Sequence, residues 1–117
     1  VAVTNQNTGT IGIQDHPEHG GHNFAIYDPA QIKKAQHVVQ VPCRTIDSFG
    51  FEDVDAIKID VEGHEYAVVQ GCIELIKRSR PVVYYEAHET NNLPEIYSML
   101  SELDYKFYWV PVQNFNR

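Results

Sequence analysis

The stretch IKIDVEGHEYAVVQG, Ile57 to Gly71, decides how this chain is read. With the residues before it, VDAIKIDV (54–61) is a short, β-branched run bounded by acidic turns, which reads as a strand. After Gly63 the apolar positions Val69, Cys72, Ile73 and Ile76 recur at i, i+3, i+4 and i+7, the spacing of a helix face. Asp60, Glu62 and Glu65 fall within six positions at the handover from one to the other. Acids stabilise a helix start whether or not anything binds there. They are also the groups that a catalytic edge needs, and the rest of the chain weighs between the two.

Downstream, Pro81 stops the helix and PVVYYE (81–86) is an almost continuous apolar strand. NNLPEIYSMLSELD (91–104) carries a second helix, with Asn92 as cap and Glu95 at the capping-box position. Leu93, Ile96, Leu100 and Leu103 form its buried stripe, and YKFYWVPV (105–112) reads as a last strand. Strand, helix, strand, helix, strand implies crossover units and a mainly parallel sheet covered by helices. Upstream, residues 1–13 read as a β-hairpin turning at Asn7 to Gly9. QDHPEHGGHNFAIYDPA (14–30) reads as loop, with a short helix starting at Asp28 and Pro29 in its first turn. HVVQVPCRTI (37–46) is a strand broken by Pro42, hence an edge or irregular one.

The expected fold class is therefore α/β, as one partial domain over 1–117. Residues 1–53 form a hairpin, a His/Gly-rich loop and an irregular strand; residues 54–117 form the alternating unit. At 117 residues there is room for a single core. Sixteen acidic residues against nine basic ones give a formal charge of −7, which argues against nucleic acid or an anionic membrane as partner. The basic cluster Lys77, Arg78 and Arg80 sits where a helix ends and cations suit its dipole. Cys43 and Cys72 read as buried thiols of a reducing compartment. No window has the length of a membrane span, so a cytoplasmic location is expected. The opening VAVTN already resembles the inside of a strand, as in a piece of a longer protein.

In an open α/β sheet, ligands bind outside the carboxyl ends of the strands. Asp60 and Glu62 fall at one such end and Glu86 at the matching end of the next strand. Crowded carboxylates raise each other's pKa while a helix N-terminus favours the charged form, so one of them can accept a proton or a substrate hydroxyl. For Asp60 and Glu86 function and capping balance; for Glu62 and Glu65 capping is the stronger reading. Gly63 lets the backbone turn tightly. His64 and His88 flank the rim and can act as acid or base, although each alone also suits a polar surface. His16, His19 and His22, with Asp15 and Glu18, are of metal-ligating type, but Gly and Pro make that loop's directions unpredictable and no metal is expected. HGGH lacks the spacing of a phosphate loop, and neither cysteine has a catalytic setting. The aromatic run Tyr105 to Trp109 reads as packing.

VDAIKIDVEGHEYAVVQGCIELIKRSRPVVYYE (54–86) closely resembles the central signature of the FkbM-type methyltransferases. VPCRTIDSF (41–49), NQNTGTIGI (5–13) and YWVPVQNF (108–115) are similar to flanking segments of that family. The resemblance implies an S-adenosylmethionine-dependent enzyme with a Rossmann-like, seven-stranded sheet that methylates an oxygen of a small molecule or sugar. By matching position, Asp60, Glu62, Gly63 and Glu65 would line the rim, with Glu86 at the neighbouring strand end. Asp60 is the leading choice for a base or an acceptor-orienting group, because methyl transfer rests mainly on alignment. The family's glycine-rich donor loop and ribose-holding acid would precede Val1. This chain alone is then expected to bind the donor weakly or not at all, to be inactive by itself, and to self-associate through an exposed sheet edge. The alternative is a non-catalytic ligand-binding or interaction module that keeps the sheet.

Overall fold

A computed structural model describes residues 2–7, 9–15, 23–26, 29–34, 37–61, 63–87 and 92–111. The elements in chain order are β1 (Ala2–Val3), β2 (Thr10–Asp15), β3 (Asn23–Ile26), α1 (Pro29–Ile32), β4 (Val38–Arg44), a 3₁₀ turn (Ile46–Phe49), β5 (Ala56–Ile59), α2 (Glu65–Gln70), α3 (Ile73–Ser79), β6 (Val82–Tyr85) and α4 (Leu93–Ser101). They form a mixed four-stranded sheet, ordered β1-β4-β2-β3, and a separate parallel pair, β5-β6.

The N-terminal hairpin is not formed as expected. β1 runs parallel to β4, and β4 lies between it and β2, so the two halves of residues 1–13 never pair. Gly9 turns with φ +88 and its carbonyl accepts from the Cys43 N–H, tying the turn to β4 instead of closing it locally. The antiparallel partner of β2 in chain order is β3, across the His/Gly-rich segment. The sheet is therefore mixed, not mainly parallel. β4 is an inner strand despite Pro42. The Cys43 N–H points to Gly9 on the β2 side, so by alternation the Pro42 nitrogen faces the other flank, where β1 pairs only Cys43 and Arg44.

Residues 63–80 form two helices where the periodicity predicts one. The backbone N–H of Asp47 donates to the Gly71 carbonyl at 2.9 Å, and the Leu75 N–H that a continuous helix would send there goes to Asp47 Oδ1 at 2.8 Å. Asp47 Oδ2 also accepts from the Glu74 N–H at 3.1 Å. One residue is thus inserted into a broken helical hydrogen bond and caps the helix that restarts after it. Gly71 is required by contact: a Cβ there would lie 2.1 Å from the Thr4 carbonyl oxygen. α3 then ends on Arg80 in the left-handed region (φ 52), one residue before Pro81. Its basic cluster is absorbed locally. Lys77 pairs with Glu74, Arg78 donates to the Phe51 carbonyl, and Arg80 donates to the Leu103 carbonyl and covers the Tyr105 ring.

Ile59, Val68, Val69, Cys72, Ile76, Ile96 and Leu100 form the buried core, with Ile57, Val83 and Tyr85 packed against it. The helices thus cover the Ile57/Ile59 face of β5-β6, while the alternate face, Ala56, Lys58, Val82 and Tyr84, is exposed. In α4, Ile96 and Leu100 are buried as the stripe predicts, but Asn92 makes no side-chain capping bond. The predicted last strand is not formed over 105–111. Tyr105 and Phe107 pack inward and Lys106 and Tyr108 face out, so the alternation is real. The Tyr105 N–H, however, turns back to the Leu100 carbonyl and its hydroxyl donates to the Pro81 carbonyl, which ties the segment to α4 and β6 without a ladder.

Asp47→Ala should lower stability in urea denaturation by about 1 kcal/mol, the loss of a cap. Gly71→Ala should cost about 1–3 kcal/mol, because Thr4 must move away from the helix pair.

Candidate functional site

The parallel register of β5 and β6 pairs Ile59 with Tyr85, and the Glu86 N–H donates to the Ile59 carbonyl at 3.2 Å. Asp60 and Glu86 therefore follow the paired ends of adjacent strands, at the carboxyl edge of the pair. Ile59 is buried, so alternation turns Asp60 to the opposite, open face, with Lys58 two residues before it. The Lys58 ammonium lies 2.8 Å from Asp60 Oδ2. It is held above its ordinary value first by that hydrogen bond and the Asp60 charge, with smaller contributions from Tyr84 and Glu86. Lys58, Asp60, Tyr84 and Glu86 thus share one electrostatic neighbourhood on an exposed surface.

The turn from β5 into α2 is built by Gly63 and Glu65. Gly63 has φ +97, a conformation that costs an L-residue about 1–2 kcal/mol. Glu65, expected on the rim among the substrate-binding residues, is fully buried. Its Oε1 accepts from the N–H groups of Gly63 (3.2 Å) and Val61 (3.4 Å), closing the turn over itself. A buried carboxylate needs such donors, and here the nearest are the backbone amides its own loop leaves unpaired. Glu65 is therefore a clasp beneath the rim. Glu62 and His88 lie outside the described residues, as do His16, His19 and His22. Among the described residues no group of His, Cys, Asp and Glu side chains is arranged to hold a metal ion.

His64 faces a different space. It lines a cavity of about 390 Å³ with Thr4, Asn5, Gln6, Thr10, Ile11, Cys43 and Ala67, between the end of β1, the start of β2, β4 and α2. The sequence reading missed this cavity. Its one local signal is the polar run TNQNT (4–8) directly after the apolar VAV, but the long-range pairing of β1 with β4 is what brings that run to His64. Burial lowers the His64 pKa, against a weaker opposing effect of Glu65, so the ring is neutral at neutral pH and presents one donor and one acceptor. Both cysteines are buried and free, and burial pushes the Cys72 thiol up to about 12, out of reach of nucleophilic chemistry.

The model of the methyltransferase FkbM domain matches residues 1–107, nearly the whole chain, and the chain belongs to that family. No curated protein and no solved structure matches it. Family membership makes the function methyltransferase-like and the fold an α/β one. Among the described residues, no helix is long and apolar enough to cross a membrane.

The half-buried setting of His64 has a pH consequence. Its folded-state pKa lies below the ordinary 6.5, so the unfolded chain takes up the proton first. Stability from this group is present above the unfolded value and is lost as pH falls through the folded one. Urea denaturation between about pH 7 and pH 5 should show a smaller decline in His64→Gln than in the native chain, since the replacement does not titrate there.

Proposed function

We propose that this chain supplies the acceptor side of an S-adenosylmethionine-dependent methyltransferase acting on a hydroxyl of a small molecule or sugar. The observation that carries this reading is the placement of Asp60 and Glu86 at the carboxyl ends of two adjacent parallel strands, in a chain of the FkbM family. That edge is where open α/β sheets bind ligands. A carboxylate there accepts the hydrogen bond of a hydroxyl and holds its oxygen lone pair in line for reaction. Such alignment contributes more to group transfer than proton removal alone. Glu86 offers a second acceptor one strand away, so vicinal hydroxyls would suit the pair.

Family members typically use S-adenosylmethionine as donor. The donor carries a ribose diol and positive charge that call for a carboxylate, and the described lining of the 390 Å³ cavity is neutral. The carboxylates stand on the open rim instead. No glycine-rich phosphate-type loop occurs in the sequence either. In this reading the donor-binding half lies outside this sequence, and the chain by itself does not turn over. The neutral cavity at His64 favours one alternative, a non-catalytic ligand-binding module that uses the cavity and leaves the rim idle.

Calorimetric titration of S-adenosylmethionine into this chain should give no micromolar binding; a micromolar Kd would place the donor site within these residues. In the protein that carries this domain, Asp60→Asn should lower kcat by about 10²-fold if the carboxylate orients the acceptor. The alternative predicts no change.

β5 pairs with β6 alone among the described residues, which leaves its second edge for another strand. The isolated chain is therefore proposed to self-associate. Sedimentation at rising concentration should show a mass above 13.4 kDa, and a monomer throughout would remove this proposal.

A further inference from the structure

We propose that Lys58 is the positioning residue of the rim, holding the Asp60 carboxylate in the orientation in which it meets the acceptor. This rests on the reading of Asp60 given above and adds a residue that the acidic pattern alone does not show. Three observations carry it.

Lys58 and Asp60 stand two apart at the end of β5, so the pleat sends both side chains to the open face, and the ammonium reaches Asp60 Oδ2 at 2.8 Å. The groups that act on Lys58 across the strand pair are Tyr84 and Glu86, from β6. The cation therefore belongs to both strands' ends, although its direct bond is to Asp60.

The pair also has little structural work to do. Both side chains are well exposed, at 65% and 43%, and ion pairs this open contribute little to stability. Removing Lys58 leaves the core on the far face of the strand untouched, since Ile57 and Ile59 make those contacts. What it removes is a fixed partner for one carboxylate oxygen and the positive charge that lets two acids share a rim. Without it, a second carboxylate on the next strand favours protonation of the first, and a protonated acid is a poorer acceptor for a hydroxyl. With it, one oxygen of Asp60 is held in place by the Lys58 ammonium, which suits the carboxylate to accepting a hydroxyl's hydrogen bond. In this role Asp60 orients the hydroxyl, whose proton passes to water as the oxygen–methyl bond forms and the sulfonium–methyl bond breaks.

The test compares Lys58→Met, Lys58→Arg and Asp60→Asn. In the protein that carries this domain, Lys58→Met should lower kcat at least tenfold with KM changed less than about threefold. Lys58→Arg should recover most of the loss, because the arginine retains the charge and can still reach the carboxylate. In this chain, carboxyl-detected NMR should show the Asp60 titration midpoint moving up by about half a unit or more in Lys58→Met and returning in Lys58→Arg. An unchanged midpoint, or an unchanged kcat, in Lys58→Met overturns the proposal. Asp60→Asn separates the two levels. If that variant turns over normally, the acceptor-side reading fails even where the Lys58–Asp60 coupling is present. If it is impaired and Lys58→Met is not, only the positioning role falls.

Discussion

The structure depends on one residue pushed into another element's hydrogen-bond ladder. Asp47 takes the Gly71 carbonyl with its own N–H and gives its carboxylate to the Glu74 and Leu75 amides. A helix that would run on from α2 is thereby cut and restarted as α3. Thr45 accepts from the Ser48 N–H to form the 3₁₀ turn that presents Asp47, and Asn7 Oδ1 accepts from both the Thr45 N–H and its hydroxyl. The same few residues link the N-terminal segment, the end of β4 and the helix pair. Thr4 completes the join by lying against Gly71, where no side chain fits. What looks like two small sheets side by side is held by this chain of polar contacts as much as by the apolar core.

That junction also places the two functional candidates. The rim carboxylates project from β5 and β6, whose inner face packs on Val68, Val69, Cys72 and Ile76 of the helix pair. The His64 cavity is walled on one side by Thr4, Asn5 and Gln6, in the N-terminal segment that the junction docks. A neutral cavity and a charged rim thus lie at His64 and Asp60, four residues apart in the chain. Glu65 holds the turn shut from below.

The local features were legible in the sequence for physical reasons. Apolar periodicity located β5, β6 and the buried stripe of α4, because each buries one face against the core. Pro29 and Pro81 marked a helix start and a helix end. What eluded the reading was set by partners distant in the chain. The split of the helix needs Asp47, more than twenty residues away. The hairpin reading failed because β4, distant in the chain, pairs with both β1 and β2 and lies between them. The inward turn of Glu65 was hidden because its partners are backbone amides, which carry no sequence signature. Alternation in YKFYW was read as a strand although alternation shows only that one side is buried, not that a ladder forms. For the site, the strand-end placement of Asp60 and Glu86 followed from the βαβ pattern, and Lys58 was available from the same pleat. The cavity was not, since its walls come from four separate segments.

The β5–β6 pair is four residues long on each strand and has only one ladder between its members. Parallel pairing is the weaker kind, and this pair relies on the helices packed against one of its faces. The spacing between Asp60 and Glu86 is therefore set across this one short ladder. A strand laid along the far edge of β5 would stiffen it without touching either acid. The geometry of this strand end is thus adjustable from a side that carries neither acid.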